Sequence, residues 1–439
     1  MSSTTHPSQT DTRRRTMRPW QIVTIFAALV SLLAGALGWK YYQDVRFWNE
    51  FKYQKFAMIE YQHPKWFDAL HKWAVGKDTM FGPEPIYIPW WDTISCDEVQ
   101  FYETDKSWSL RDLRRFPAIE RFEFEDVTLS IADMKELASH KHVKAIGFND
   151  TQISDEALAE CGAFHELCAL SIIQIERNSG LTGFGLRALR SAPHLTTLTL
   201  YGVELSDEGF DALGDLESIE TLEFVGSYLN ADRLRCLGRL PRLKNLMLQP
   251  REVQREGLLN AFAGLQKLES LTFDRIPPSN ENLQPLTALQ NLNDFWLSGL
   301  SGQSLEPLAQ LRKLTHLSLR DLSGQSLKPL TELGSLKHLW VGDSEMSDEQ
   351  LIGLSGCAGL EELTLCRIKV TGTAFQEPGW ASLKKLTLYE VPVNDFAATA
   401  IKSLPNLVSL ETHKTEMTAE VLTDIKGFLA RRPKPEPAP

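Results

Sequence analysis

The sequence lacks the short motifs with which many enzymes hold phosphate groups, metal ions or a catalytic serine. No P-loop, G-x-G-x-x-G, H-E-x-x-H or G-x-S-x-G pattern occurs in its 439 residues. Its six cysteines follow no zinc-binding or disulfide spacing, so buried free thiols are expected, with at least one disulfide as the alternative. These absences argue against an enzyme, and they predict no metal and no other cofactor.

Positive charge is also in deficit. Lys and Arg number 46 against 57 Asp and Glu, which gives a formal net charge of -11. Proteins that bind nucleic acids usually carry a basic patch or stripe that meets the phosphates. A nucleic-acid partner is therefore not expected. The exception to the acidic balance is the amino terminus, where Arg13, Arg14, Arg15 and Arg18 precede residue 20.

One long uncharged apolar run occurs, WQIVTIFAALVSLLAGALGW at residues 20–39. A helix of about 20 residues spans the hydrocarbon layer of a bilayer, and Trp at both ends is typical of the two interfaces. The arginines in front predict a single-pass anchor in the cytoplasmic membrane, with residues 1–19 inside and the chain after residue 40 exported. A cleaved signal peptide is the alternative, with Ala34-Gly35-Ala36 as its cleavage site.

A repeated pattern dominates the rest of the chain. L-x-x-L-x-L, with Ile, Val or Phe in place of some leucines and Thr in the last copy, occurs thirteen times at intervals of 22 to 28 residues. Such self-similarity is the signature of a repeat architecture. The copies start at Ile119, Val143, Leu167, Leu195, Ile219, Leu243, Leu268, Leu292, Leu314, Leu336, Leu360, Leu383 and Leu407.

With LTTLTL at residues 195–200 and LKKLTL at 383–388, the chain resembles the leucine-rich-repeat family over about residues 95–430. The resemblance implies an α/β solenoid, a curved horseshoe with a concave parallel sheet and a helical convex side. Family members mostly bind proteins on that sheet. The usual Asn or Cys three residues after the last Leu is replaced, for example by Val127, Thr151 and Leu322. In this respect the repeats resemble arrays of environmental bacteria, including planctomycetes.

Three Ser-Asp-Glu triplets, beginning at Ser154, Ser206 and Ser347, open the predicted convex helices. The acids look like catalytic pairs, but their recurrence in one phase of the repeat favours helix caps. Two neighbouring repeats are near-copies, SGQSLEPL at 301–308 and SGQSLKPL at 323–330, and both are 22 residues long. Their convex segments should therefore be short.

The predicted organisation has five parts. Residues 1–19 form a basic cytoplasmic segment, 20–39 a transmembrane helix, and 40–94 a juxtamembrane stalk with the start of a cap. Residues 95–430 form the solenoid of about 13 repeats plus cap, and the Pro-rich residues 431–439 form a disordered tail. A small separate binding module within residues 40–118 is the alternative to a stalk and cap.

Alternation along each strand predicts which residues face the concave surface. Two tryptophans stand out on an otherwise small, polar ladder, two strands and about 10 Å apart. Two histidines share one phase, and Tyr and Arg lie nearby; these residue types are frequent in binding hot spots. The alternative is that edge loops cover the tryptophans or that these pack on each other. The predicted partner site comprises Trp296, His316, Arg320, His338, Trp340 and Tyr389.

The sequence therefore predicts a membrane-anchored protein that binds a protein partner on its concave face and does no catalysis. The alternative is an accessory or substrate-recruiting subunit of an enzyme complex, either a hydrolase or a ubiquitin-ligase-like system. No F-box-like helical segment precedes the repeats, which counts against the ligase version.

Overall fold

The computed structural model describes residues 57–61, 96–102, 113, 118–175, 180–254, 257–274, 283–300 and 302–432. Contacts divide the chain into two units, residues 1–97 and 98–439. The predicted segments 1–19 and 20–39 lie outside the described residues, as does most of the predicted stalk. In the described part of the chain, no helix combines the length and apolarity needed to cross a bilayer.

The second unit is built on one long parallel sheet whose strands follow one another in chain order. Each of the thirteen predicted copies contributes a strand that begins two residues after the first position of its motif, which confirms the repeat prediction. Four two-residue strands pair outside the main sheet, β4 with β6 and β10 with β12. The strands are β1 Ala57–Tyr61, β2 Cys96–Tyr102, β3 Arg121–Glu125, β4 Thr128–Leu129, β5 Ala145–Asn149, β6 Gln152–Ile153, β7 Ala169–Ile173, β8 Thr197–Tyr201, β9 Thr221–Val225, β10 Tyr228–Leu229, β11 Asn245–Gln249, β12 Glu252–Val253, β13 Ser270–Phe273, β14 Asp294–Leu297, β15 His316–Arg320, β16 His338–Gly342, β17 Glu362–Cys366, β18 Lys385–Tyr389 and β19 Ser409–His413.

Short helices form the convex side. The two near-copied repeats carry five-residue 3-10 helices with Pro307 and Pro329 near their starts, where a missing N–H costs little. The prediction of short convex segments is thus confirmed. The α-helices are α1 Ile131–Leu137, α2 Asp155–Ala159, α3 Asp207–Gly214, α4 Ala231–Leu237, α5 Leu258–Ala261, α6 Asp348–Ile352, α7 Ala398–Ser403 and α8 Ala419–Ala430. The 3-10 helices are Glu160–Ala163, Phe184–Ser191, Phe262–Gly264, Gln284–Ala288, Glu306–Gln310, Lys328–Glu332, Thr373–Gln376 and Asp395–Ala397.

The aliphatic positions of the motif form the core between sheet and convex side. Leu195, Leu198 and Leu200 of one repeat are each fully buried. Towards the amino-terminal end, aromatic rings replace leucines: the ring of Phe124 stacks on that of Phe101 at 4.9 Å and on that of Phe148 at 5.8 Å. Each repeat therefore buries its ridge against its neighbours, as a solenoid must.

Hydroxyl side chains partly replace the missing Asn of the family. Thr151 Oγ1 donates a hydrogen bond to the Phe124 carbonyl at 2.9 Å. Ser344 Oγ accepts from the Leu322 N–H at 3.0 Å and donates to the Gly342 carbonyl at 2.6 Å. These bonds satisfy buried backbone groups between adjacent turns, which would otherwise cost free energy.

The predicted helix caps are confirmed. Ser154 Oγ accepts from the Ala157 N–H at 3.2 Å, and Ser206 Oγ accepts from the Gly209 N–H at 3.1 Å. The Ser347 N–H donates to Gln350 Oε1 at 2.6 Å as part of a capping box.

The aspartates that follow two of these serines reach into the next repeat. Asp348 accepts hydrogen bonds from the N–H groups of Thr371, Gly372 and Ala374 at 2.8, 3.0 and 3.1 Å. These are the unpaired donors at the start of the following 3-10 helix. Asp155 likewise accepts hydrogen bonds from the N–H groups of Thr182, Gly183 and Gly185. In these two triplets the aspartate therefore joins consecutive repeats.

The cysteine prediction is only partly correct. Cys161, Cys357 and Cys366 are buried, and burial raises the pKa of the Cys357 thiol to about 12. Cys236 is half-buried, however, and Cys168 is exposed in the turn that leads into β7. These five described cysteines are free thiols.

The carboxyl-terminal boundary also needs a correction. The predicted tail begins at residue 431, but Arg432 follows α8 and donates hydrogen bonds to the carbonyls of Lys402 and Leu407 at 2.6 and 2.8 Å. Its guanidinium lies over the Phe428 ring at 5.1 Å. The described chain thus continues through Arg432, and residues 433–439 lie outside it.

Replacing Asp348 with Ala should lower the free energy of unfolding by about 1–2 kcal/mol, because several backbone donors lose their acceptor. Hydrogen exchange should accelerate at residues 371–374. Glu349→Ala, which removes the exposed acid of the same triplet, is the matched control and should change little. Unchanged exchange in the Asp348→Ala protein would show that this carboxylate does not join the two repeats.

The same carboxylate should make local stability depend on pH. Burial acts to raise the pKa of Asp348, but the N–H groups of Thr371, Ala374 and Gly372 outweigh burial and hold this pKa below its usual value. Its stabilisation is therefore full above the unfolded-state pKa of about 4, and is lost as pH falls through the lowered folded-state pKa.

We expect exchange at residues 371–374, corrected for its intrinsic rate, to rise below about pH 4. Asp348→Asn should remove this dependence, since an amide does not titrate. The same acid response in both proteins would argue against Asp348 as its source.

Candidate partner-binding face

The two predicted tryptophans lie in register on the sheet face that points away from the core, which is the predicted concave face. On β14 and β16 the neighbours of Trp296 and Trp340 along the chain are buried, whereas both indoles are half-buried. Register aligns Trp296 with Ser318 and Ser318 with Trp340, so one small residue separates them, at about 10 Å between backbones. The tryptophans are therefore neither fully covered by edge loops nor on adjacent strands.

Gly342 explains the position of the Trp340 ring. A Cβ added at Gly342 would lie 2.2 Å from the outer edge of that indole. The ring therefore leans along its own strand towards the carboxyl-terminal end and covers the glycine, which shields the backbone there. The sequence signal for this contact was a glycine two residues after a tryptophan on the same strand face.

The two predicted histidines are in direct contact. The rings of His316 and His338 stack with centroids 4.2 Å apart and planes inclined by 5°. Thr315 Oγ1 lies 2.9 Å from His316 Nδ1, and Glu362 Oε2 lies 3.4 Å from His338 Nδ1. Both imidazoles are thus held in fixed orientation beside the tryptophan row.

Arg320 belongs to a charged cluster at the end of the strands. Its Nε lies 2.9 Å from Asp343 Oδ2, and Arg367 Nη2 donates to the same oxygen at 2.6 Å. The hydrogen bonds from Arg367 lower the pKa of Asp343 against the opposing effect of burial, and the Arg320 charge lowers it further. Asp343 therefore stays ionised and holds two guanidinium groups at this edge.

Tyr389 lies further along the same face. It stacks on His413 of the last strand, with ring centroids 4.7 Å apart and planes inclined by 17°. It aligns in register with Cys366, and through it with Gly342 and Arg320. Two strand spacings separate it from the Trp340 strand, so the structure places Tyr389 at the margin of the predicted site.

The structure thus brings five of the six predicted residues onto three adjacent strands. Sequence reasoning missed their partners Glu362, Gly342, Asp343, Arg367 and His413. The signal was available in the repeat register for four of them: Glu362 and His413 sit one repeat from a predicted residue, and Gly342 and Asp343 two and three positions beyond Trp340. Arg367 had no such signal. It also missed Tyr201, an exposed tyrosine on β8 of the same face.

Grooves occur elsewhere on the described solenoid. One of about 580 Å³ lies on the convex side between the near-copied repeats, and another of about 440 Å³ lies on the edge at which the strands begin. Neither is lined by a residue of the predicted site. Among the described residues, no group of three or more His, Cys, Asp or Glu side chains is arranged to hold a metal ion.

A solenoid of parallel strands, with short helices on one side of the sheet and an open face on the other, defines a class of repeat protein. A family model described as a leucine-rich repeat region matches residues 101–427. The chain belongs to the leucine-rich-repeat family, as its motifs predicted. No curated protein matches the sequence significantly.

One solved structure supports this fold, and a second shows a weaker likeness. An internalin from Listeria monocytogenes aligns with a TM-score of 0.50 and 19% identity, over 74% of this chain and 89% of that one. A leucine-rich-repeat protein of Leptospira interrogans aligns with a TM-score of 0.41 and 16% identity, over 73% and 91%. At such identities the likeness concerns fold alone, and the planctomycete-like type stays a prediction.

Proposed function

We propose that this chain is a membrane-anchored binding protein that captures another protein on its concave face and performs no catalysis. The observation that carries the proposal is the row formed by Trp296, Ser318 and Trp340 beside the stacked His316 and His338. Large aromatic surface is presented on a sheet whose other outward residues are mostly small and polar. The leucine-rich-repeat fold itself suggests an interaction role.

The geometry of this face suits a protein partner. Half-buried indoles can bury further area on binding without a large loss of side-chain freedom, because packing already restricts them. The stacked imidazoles and the Arg320–Asp343–Arg367 cluster are likewise held in place before a partner arrives. Preorganised aromatic and arginine side chains surrounded by polar residues are typical of binding hot spots.

The proposed anchor rests on residues 20–39. An uncharged apolar run of bilayer length, with arginines before it, supports an orientation with the solenoid outside the cytoplasmic membrane, by the positive-inside tendency. The alternative, an accessory subunit of an enzyme complex, would use the same face. Identification of the partner as an enzyme would distinguish this alternative.

The double substitution Trp296→Ala, Trp340→Ala should weaken partner binding by at least about 30-fold, the effect of losing one hot-spot residue. The partner is first identified by pull-down from detergent-solubilised membranes and mass spectrometry, and its affinity is then measured with purified proteins. Tyr201→Ala is the control, since it removes an exposed aromatic ring from a distant strand of the same face. Full affinity in the double variant would exclude this site.

The exposed thiol of Cys168 offers a test of topology. A membrane-impermeant maleimide applied to spheroplasts should label Cys168, because the solenoid is proposed to lie outside. The buried thiols of Cys161 and Cys357 should react only after unfolding. Cys168→Ser is the control for labelling at this position. Labelling that requires cell lysis would place the solenoid in the cytoplasm and overturn the proposed orientation.

A further inference from the structure

The distribution of unpaired cations singles out one edge of the solenoid. Many of its Lys and Arg side chains form ion pairs with a carboxylate, as Lys244 does with Glu220 at 2.9 Å. Five exposed cations form no ion pair with any described residue and gather in the turns that lead into strands β11 to β16. These cations, called here the cationic edge, are Arg242, Lys267, Arg312, Lys313 and Lys337.

Repeat register aligns three of these five cations in one row along the edge. Arg242, Lys267 and Lys313 each stand three residues before a strand, so they occupy one phase of successive turns. Strands β11, β13, β14, β15 and β16 are consecutive neighbours, and the row spans about 19 Å. Asn291 holds the intervening place before β14, where its Oδ1 accepts a hydrogen bond from Lys313 Nζ at 2.7 Å.

Carboxylates are scarce within this row, although Glu220 and Glu361 flank its two ends beside Arg242 and Lys337. Glu269 is the acidic residue in these five turns. A shallow groove of about 440 Å³ runs along the amino-terminal part of the row and is lined by Arg242, Lys244 and Lys267, with Glu220 and Glu269 on its wall. Lys267 Nζ donates to the Pro241 carbonyl, which keeps its charge at the surface of the groove.

The opposite edge of the same repeats has the reverse charge. Where β11 to β16 end, the described turns carry carboxylates that outnumber the cations, and the cations there are paired: Arg251 with Glu204 at 3.4 Å, and Arg320 with Asp343 at 2.9 Å. The solenoid is therefore polar from edge to edge, with one edge suited to an anionic surface and the other repelled by it. The acids of this second edge are Glu252, Asp274, Asp321, Asp343 and Glu345.

We propose that the cationic edge lies on the anionic phospholipid headgroups of the membrane that holds the chain. The inference rests on the proposed anchor, which confines the solenoid near a bilayer at high effective concentration. A row of exposed point charges without an enclosed pocket fits a flat array of phosphates better than one bound phosphate. Each Lys or Arg near such a surface strengthens association by roughly fivefold, so five cations orient a tethered domain.

The test uses the full chain in nanodiscs of neutral phosphatidylcholine, or of phosphatidylcholine with phosphatidylglycerol. An amine-reactive reagent reports the exposure of individual lysines. We expect Lys267, Lys313 and Lys337 to react at least about fivefold more slowly in the anionic discs, and to recover at high salt because exposed charges are screened. Lys328, Lys369 and Lys426 lie on other surfaces and should react equally in both discs.

Matched variants distinguish the effect of the cationic edge from the effect of the net charge of the protein. Replacing Arg242, Lys267, Arg312 and Lys313 with Gln should abolish the protection of Lys337 by anionic lipid. The control replaces four exposed cations elsewhere, Lys328, Lys369, Lys426 and Arg431, with Gln and should retain that protection at the same net charge.

Each outcome decides the proposal. Equal labelling of Lys267, Lys313 and Lys337 in the two discs of correctly inserted protein would overturn it. Protection by soluble polyaspartate but not by anionic discs would also overturn it, in favour of an acidic protein partner. Failure of the chain to enter either disc would instead count against the proposed anchor.

Discussion

A single repeat of this chain has nothing against which to bury its aliphatic ridge except the repeat before it and the repeat after it. Its leucines are fully buried only because neighbouring strands lie side by side in one register. Burying a leucine side chain is worth about 1.5–3 kcal/mol, and each repeat supplies several. A slip of one residue would turn this ridge outward. The burial of the ridge therefore fixes the register of the sheet.

That register determines which surface residues can interact. Residues of equal phase lie one strand spacing apart, about 4.8 Å. Like charges in one phase would repel, and the chain instead alternates signs, as in the pairs Lys144–Glu120 and Lys384–Glu361 at 2.7 and 2.8 Å. The same spacing stacks His316 on His338. The cationic edge is notable because it departs from this alternation over consecutive turns.

The sequence predicted the positions of the strands and of their outward residues, because both follow from the buried aliphatic ridge. It missed the features that depend on the direction of individual side chains. All thirteen strands were located because their aliphatic positions repeat, and the outward position of Trp296 followed from alternation. The choice between α-helix and 3-10 helix was not predictable, since it turns on spacings that differ by one or two residues. Nor was the reach of Asp348 into the next repeat, because capping patterns describe a helix's own start and not its neighbour's.

The two proposed surfaces are compatible because they occupy different sides of the same strands. The cationic edge gathers residues that precede the strands, whereas Trp296 and Trp340 lie within them, and Asp321 and Asp343 follow them. If the cationic edge lies on the bilayer as proposed, the strands would point away from the membrane and the concave face would open sideways. A partner would then approach the tryptophan row from the side. A protein in the same membrane, or close to it, could make this approach. The acidic edge would face away from the lipid, where its charge meets no anionic surface.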